Sequence, residues 1–319
     1  MKPILLILLI AAPTTAAETD YPPLPKPVTS FGAAVSDGYV YLYGGHSGKA
    51  HSYSTATTLG QFLRLNISKP VKWEELSGGP SAQGVAVVAH GGKIYRIGGM
   101  QPRNKADEKT DAHSLAGVAC FDPKTKKWDD LPDLPEGRSS HDAVVLGDKI
   151  YVAGGWKMNG SGGISDWHAN AVMLDLKKQP LKWESFEQPF KRRALTMAAF
   201  DGKIYVIAGL NEEGSAERTV NVFDPDKKSW SNVAQIPNGV MNGFTPAACV
   251  LDGRLYLSPA DGKLYRLSED GKAWPEVATL KLPRMVHRVV PIAKNQMLAI
   301  GGSAKGSPSG DVELIAPAK

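Results

Sequence analysis

Residues Ala143 to Gly155 read AVVLGDKIYVAGG: an apolar run, a Gly-Asp turn, a second apolar run with a tyrosine in second place, and a glycine pair. Two short apolar runs joined by a two-residue Gly/Asp turn read as an antiparallel hairpin. The same unit recurs along the chain. Its second run appears as Val40-Tyr41-Leu42-Tyr43-Gly44-Gly45, Ile94-Tyr95-Arg96-Ile97-Gly98-Gly99, Ile204-Tyr205-Val206-Ile207-Ala208-Gly209 and Met297-Leu298-Ala299-Ile300-Gly301-Gly302. A degenerate copy is Leu255-Tyr256-Leu257-Ser258-Pro259-Ala260. Tyrosines 41, 95, 151, 205 and 256, with Leu298 closing the series, are spaced by 54, 56, 54, 51 and 42 residues. Trp73, Trp128, Trp183, Trp230 and Trp274 run in phase with them. Six units of this length are too small to bury their own faces. Stacked around a ring, each covers its neighbours and no end stays open.

The composition agrees. Among 319 residues, 33 glycines and 23 prolines are too many for a helical bundle and fit a turn-rich all-β chain. Two cysteines rule out a disulfide scaffold. Cys120 and Cys249 fall in blades on opposite sides of a six-membered ring, beyond the ~7 Å that a disulfide spans, so both are expected free and buried.

A glycine pair with tyrosine before and tryptophan after, at about 50-residue spacing, resembles the kelch repeat. The resemblance covers nearly all of the chain from residue 21 onward. It implies one domain, 21–319: an all-β, six-bladed kelch-type β-propeller. The sixth unit ends with Asp311 to Ala316 and lacks a tryptophan-bearing last strand. Tyr21-Pro22-Pro23-Leu24-Pro25-Lys26-Pro27 resembles the Leu131-Pro132-Asp133-Leu134-Pro135 end of the second unit. The last blade is therefore expected to be closed by an N-terminal strand.

Residues 1–17 read as a signal peptide. Lys2 precedes the apolar run Ile4 to Ala12, and Thr15-Ala16-Ala17 offers a small-residue cleavage site. The run is far short of the ~20 residues of a membrane span. The expected location is secreted or periplasmic, with no membrane span after cleavage. Net charge is +5 without any Lys/Arg tract, which argues against a nucleic-acid partner. The chain is expected to be a monomer.

Candidate function lies on one face. Label the strands of each blade a to d from the channel outward; the b–c and d–a loops then share a face. Six of the seven histidines fall there: His46, His51, His113, His141, His168 and His287. The d–a loops hold Lys26, Arg138, Lys191, Arg192, Arg193, Lys281, Arg284 and Arg288 against Glu136, Asp142 and Glu187. Blades 3 and 6 repeat Arg138-Ser139-Ser140-His141 and Arg284-Met285-Val286-His287, two Arg-x-x-His pairs expected to face across the channel. Each pair reads either as a ligand contact or as a structural feature of the repeat. Arginine's planar fork suits carboxylate or sulfate. Trp156 and Trp167 could stack on a sugar ring.

The site expected for an anionic ligand is thus Arg138, His141, Trp156, Trp167, Arg192, Arg193, Arg284 and His287. No metal is expected, because the histidines show no ligand spacing, and no cofactor fingerprint is present. The partner is a small anionic sugar, a polysaccharide or a protein. A sugar epimerase or mutarotase is the alternative. The leader, the six repeats and Leu24-Pro25-Lys26-Pro27-Val28 resemble, in layout only, the secreted bacterial N-acetylneuraminate epimerases. No catalytic motif matches residue by residue. Glu212, Glu213 and Glu217 with Arg218 are the acid cluster placed for such chemistry. An envelope protein-interaction scaffold is a third reading, and it implies a broad apolar patch.

Overall fold

The structure, a computed structural model, describes residues 21–318. The expected signal peptide lies outside the described residues.

All regular structure among the described residues is β. Five sheets have four antiparallel strands, in order from the centre outward. Blade 1 is Gly32–Ser36, Tyr39–Tyr43, Phe62–Asn66 and Glu74–Leu76. Blade 2 is Ala86–His90, Lys93–Ile97, Val118–Asp122 and Lys127–Leu131. Blade 3 is Asp142–Leu146, Lys149–Ala153, Asn170–Asp175 and Trp183–Glu187. Blade 4 is Thr196–Phe200, Lys203–Leu210, Ala216–Asp224 and Ser229–Val233. Blade 5 is Ala247–Leu251, Arg254–Ser258, Lys263–Arg266 and Glu276–Thr279. Blade 6 has three strands: Arg288–Ala293, Gln296–Ile300 and Val312–Ile315. The a strands touch in sequence, and that of blade 6 touches that of blade 1, so the ring closes.

The two aromatic markers work between sheets. Tyr41, Tyr95, Tyr151, Tyr205 and Tyr256 are buried on the b strands. Each tryptophan indole donates to a carbonyl at the outer end of the preceding blade. Trp128 reaches Ser77 at 2.8 Å, Trp183 reaches Pro132 at 2.8 Å, Trp230 reaches Glu187 at 2.9 Å and Trp274 reaches Ala234 at 3.0 Å. Burial of the ring face and satisfaction of the N–H come together, which is the use tryptophan is suited to.

The fifth such bond explains the closure. Trp73 of blade 1 donates to Pro22 at 3.0 Å, so Pro22 holds the place that belongs to the outer end of blade 6. The Leu24 amide donates to Gly310 as the Leu134, Ile236 and Leu280 amides donate to Ala116, Arg218 and Gly262 in blades 2, 4 and 5. Leu24 and Val28 are buried in one cluster with residues of blades 1 and 6. The segment ties the ring together, but it is not the strand expected over Tyr21 to Pro27. No strand forms there. Pro22, Pro23, Pro25 and Pro27 have no N–H to give to a ladder. The segment corresponds to the stretch just beyond a last strand, not to the strand itself.

The glycine pairs permit close approach. Gly155 has φ +86°, and a Cβ there would lie 2.7 Å from the Ser139 carbonyl oxygen. Only glycine fits this position.

Both cysteines are buried and free, Cys120 in strand c of blade 2 and Cys249 in strand a of blade 5. Burial pushes the Cys249 thiol up to about 12.

Candidate functional site at the channel mouth

Each d–a loop enters its a strand through one residue in the left-handed region. These are Ser30, Gly84, Ser140, Ala194, Thr245 and Val286, with φ between 43° and 57°. Five of the six are not glycine, and Thr245 and Val286 are β-branched, for which this region is costly. Five of the six are held by one another. The Gly84 amide donates to Ser30, Ser140 to Gly84, Ala194 to Ser140 and Thr245 to Ala194, at 2.7 to 3.0 Å. Four backbone bonds thus join five of the six around the channel axis, and among the described residues Val286 completes the ring in position without such a bond.

This ring sorts the loop residues by role. Two residues before it stand Arg138, Arg192 and Arg284, all buried. Arg138 Nη1 and Nη2 donate to the Gly154 and Asn170 carbonyls at 2.7 and 3.0 Å. Arg192 Nη1 donates to Thr219 at 2.9 Å, and Nη2 donates to Asn221 Oδ1. Arg284 Nη1 reaches Asp311 at 2.9 Å, and Nη2 reaches Glu313 at 3.0 Å. Each guanidinium bonds to the end of strand b or to strand c or its approach, within its own blade. Burial lowers the pKa of Arg138 and Arg192 to about 10, so both stay charged at neutral pH.

One residue after the ring come His141 and His287, also buried. His287 Nε2 lies 3.0 Å from Ser258 Oγ of blade 5, while its Nδ1 finds no partner. The His141 ring lies beside Gly98 of blade 2. In each Arg-x-x-His pair the arginine therefore braces its own blade and the histidine packs on the preceding one, and neither pair faces across the channel. The next residue on each strand does. Arg288 Nη1 meets Asp142 Oδ2 at 3.1 Å, bridging blades 6 and 3, and Asp142 also accepts from Thr196 Oγ1 and the Met197 amide. Side chains alternate along a strand, so a one-residue step exchanges interface for channel.

The residue directly before the ring faces the mouth. In four blades these positions are Thr29, Gln83, Arg193 and Met285. All four form an antiparallel bridge, three of them with the residue after a glycine pair: Thr29 with His46, Gln83 with Met100 and Met285 with Ser303. Ser139 bridges Trp156, and Arg193 bridges Leu210, in the same way. Most of these residues line a cavity of about 300 Å³, together with His51, Tyr53, Met158, Met241 and Phe244. Beneath the ring a pocket of about 60 Å³ ends on His141, His287 and Arg288.

Of the residues expected at the site, Arg193, Trp156 and Trp167 come together. Trp156 and Trp167 pair across a two-residue hairpin with centroids 5.6 Å apart. The Arg193 guanidinium sits 4.0 Å from the Trp156 centroid and 5.6 Å from that of Trp167. Arg193 makes no side-chain hydrogen bond or ion pair among the described residues, and its buried Nε has no acceptor. Among the described residues it is the one arginine or lysine lining the mouth. Burial lowers its pKa and that of His46. Met100 and Met285 were missed, and His46 was placed on the face but not in the site; His46 and Met100 directly follow glycine pairs, a signal that would have found them, whereas Met285 has no such mark.

The acid cluster lies elsewhere. Glu212, Glu213 and Glu217 line a cleft of about 550 Å³ along the outer strands of blade 4. Lys191 pairs with Glu212 at 3.4 Å. Arg218 points away and donates through Nε to the Ile236 carbonyl.

Fold and mouth together define a six-bladed propeller with one central cavity on its d–a/b–c face. A family model for the KLHDC2/KLHL20/DRC7 Kelch-repeats domain matches residues 84–302. The chain belongs to the kelch-repeat family. It is similar to Kelch-like protein 40 of Xenopus tropicalis, 29% identical over 223 residues, covering 66% of this chain and 33% of that protein. Human Kelch-like protein 33 is 30% identical over 144 residues, covering 44% of this chain and 25% of its own. The chain spans about a third or less of the length of these relatives. The solved structure of YjhT superposes with a TM-score of 0.72 at 18% identity, covering 92% of this chain and 99% of that one. At that identity the likeness is one of fold.

Proposed function

We propose that this chain is a secreted or periplasmic binding propeller, and that its mouth seats an anionic group of its partner, a sugar acid or another anion, on Arg193. The observation that carries this reading is the contrast among the mouth-face arginines. Arg138, Arg192 and Arg284 spend their donors on their own blades, and Arg288 on Asp142, whereas Arg193 is held in place by two indoles with its donors unused. Stacking fixes a guanidinium without consuming its hydrogen-bonding edge.

The test is calorimetric titration of glucuronate, N-acetylneuraminate and sulfated sugars against neutral counterparts, in wild type, Arg193→Gln and Arg138→Gln. One charge-assisted contact is worth roughly 1.5–3 kcal/mol, so Arg193→Gln is expected to weaken anion binding about 10- to 100-fold while leaving the melting temperature near wild type. Arg138→Gln is expected to do the reverse. Equal binding of anions by wild type and Arg193→Gln would refute the assignment.

A protein partner is the second reading, favoured by Ile164, Val240 and Met241. All three are exposed in loops of this same face. An epimerase would have to draw its acid–base groups from His46, His51 and Tyr53, because no carboxylate among the described residues lines the mouth.

A further inference from the structure

We infer that the mouth is built for a lipophilic carboxylate, a small molecule with an apolar body and one anionic end, and not for a polyhydroxylated sugar acid. The inference rests on the reading of Arg193 as the anion contact and concerns the rest of the ligand.

The lining is unusual in its sulfur. Met100, Met158, Met241 and Met285, half of the chain's eight methionines, line this one cavity of about 300 Å³. They come from different loops, so chain proximity does not account for the gathering. Phe244 and Val286 extend the same wall. Unbranched thioethers repack around apolar shapes of varying outline.

What reads a sugar best is sparse: among the described residues no Asp, Glu or Asn lines the cavity, whose polar groups are the His46 and His51 imidazoles, the Tyr53 phenol and a few Ser and Thr hydroxyls. Gln83 is there, but its Nε2 is engaged with Thr58 Oγ1 at 3.2 Å. The indole face of Trp156 that a sugar ring would stack on carries the Arg193 guanidinium. A ligand entering this site thus meets one cation and a methionine-rich wall, with the His46 and His51 imidazoles, the Tyr53 phenol and Ser and Thr hydroxyls beside them.

Length and charge then separate. Each methylene buried against the thioethers strengthens binding roughly fourfold until the cavity is full. The carboxylate adds its own contact at Arg193.

The experiment titrates butyrate, hexanoate, octanoate, 1-octanol and glucuronate into the intact protein, with Arg193→Gln and Met285→Ser alongside and each variant's melting temperature measured. Expected are affinities that rise with chain length, octanoate at least tenfold tighter than both octanol and glucuronate, loss of that advantage over octanol in Arg193→Gln, and a weaker length dependence in Met285→Ser. Glucuronate binding as tightly as octanoate, through Arg193, would overturn the apolar inference and leave the anion reading standing. Octanol binding as well as octanoate would overturn the anion reading. No binding of any of them up to millimolar concentration would overturn both. Should Arg193→Gln melt well below wild type, the comparison of octanoate with octanol on the wild-type protein decides alone.

Discussion

Leu24 and Leu134 occupy equivalent places in the ring, one in the N-terminal segment and one after the last strand of blade 2, so truncating either to alanine should cost the same. Both are nearly inaccessible, at 4% and 3% exposure. Both amides donate to the residue two before strand c, Gly310 at 2.7 Å and Ala116 at 2.9 Å. A buried Leu→Ala change costs about 2–5 kcal/mol, according to how far the site collapses. For a chain of this size that corresponds to a fall in melting temperature of roughly 4–15 °C. Deleting residues 21–27 removes more: the Leu24 side chain, its backbone bond and the Pro22 acceptor of Trp73. An indole N–H left without a partner costs about 1–3 kcal/mol by itself. The sum approaches the ~5–15 kcal/mol that holds a typical domain folded, so the truncated chain is expected to aggregate or melt early. The assay is thermal and urea unfolding of Leu24→Ala, Leu134→Ala and the deletion beside wild type. If Leu24→Ala and the deletion melt like wild type while Leu134→Ala does not, the N-terminal segment is no part of the ring.

Buried groups give two further outcomes. Burial holds His287 at about 3, with neighbouring Arg284 and Arg288 acting in the same direction, against an ordinary 6.5. Its folded pKa lies below its unfolded one, so the unfolded chain takes up the proton first and stability falls as pH drops below about 6.5; the loss from pH 7 to pH 5 is about 2 kcal/mol for this residue. Urea midpoints of wild type and His287→Gln at pH 5, 6 and 7 check this, and parallel pH slopes would show that the imidazole is not buried neutral. Cys120 and Cys249 should ignore a thiol reagent in the native protein and give two thiols on denaturation without reductant, whereas a Cys120–Cys249 bond found by mass spectrometry would contradict the blade order.

The repeat was legible because its signal is large and recurs. Glycine pairs, tyrosines and tryptophans each answer to a steric or packing demand that every blade makes, so strand, turn and ring order could all be read. The closing segment was legible in place but not in form. Its kinship with the end of blade 2 is real, yet four prolines in seven residues forbid the strand that such kinship suggests. The site was legible as a face and not as a set of residues. Arg192 and Arg193 are adjacent and chemically identical; one is buried against Asn221 and the other faces the mouth. What separates them is the left-handed residue at 194, and a non-glycine residue in that conformation leaves no mark in the sequence. The same applies to the two Arg-x-x-His pairs. A charge count sees eight bases at one mouth. It does not see that Arg138, Arg192 and Arg284 are turned into the blades.

The ring separates staying folded from choosing a partner. Two before the left-handed residue, Arg138, Arg192 and Arg284 brace their own blades, and one after it the buried imidazoles of His141 and His287 pack against the preceding blade, so changes there strike stability. The position directly before it, and the residue after a glycine pair, touch one another through backbone bridges, so their side chains are free to vary. Arg193, Met285, His46, Met100 and Trp156 all sit at such positions. A kelch ring can therefore keep its architecture at 18% identity. The blade 5 repeat supports this division. Its glycine pair is replaced by Pro259 and Ala260, yet Ser258 still meets the His287 imidazole of the next blade. The interblade contact survives where the repeat signature has decayed. Ligand identity must consequently be sought in the mouth side chains, where this chain offers one stacked arginine among methionines.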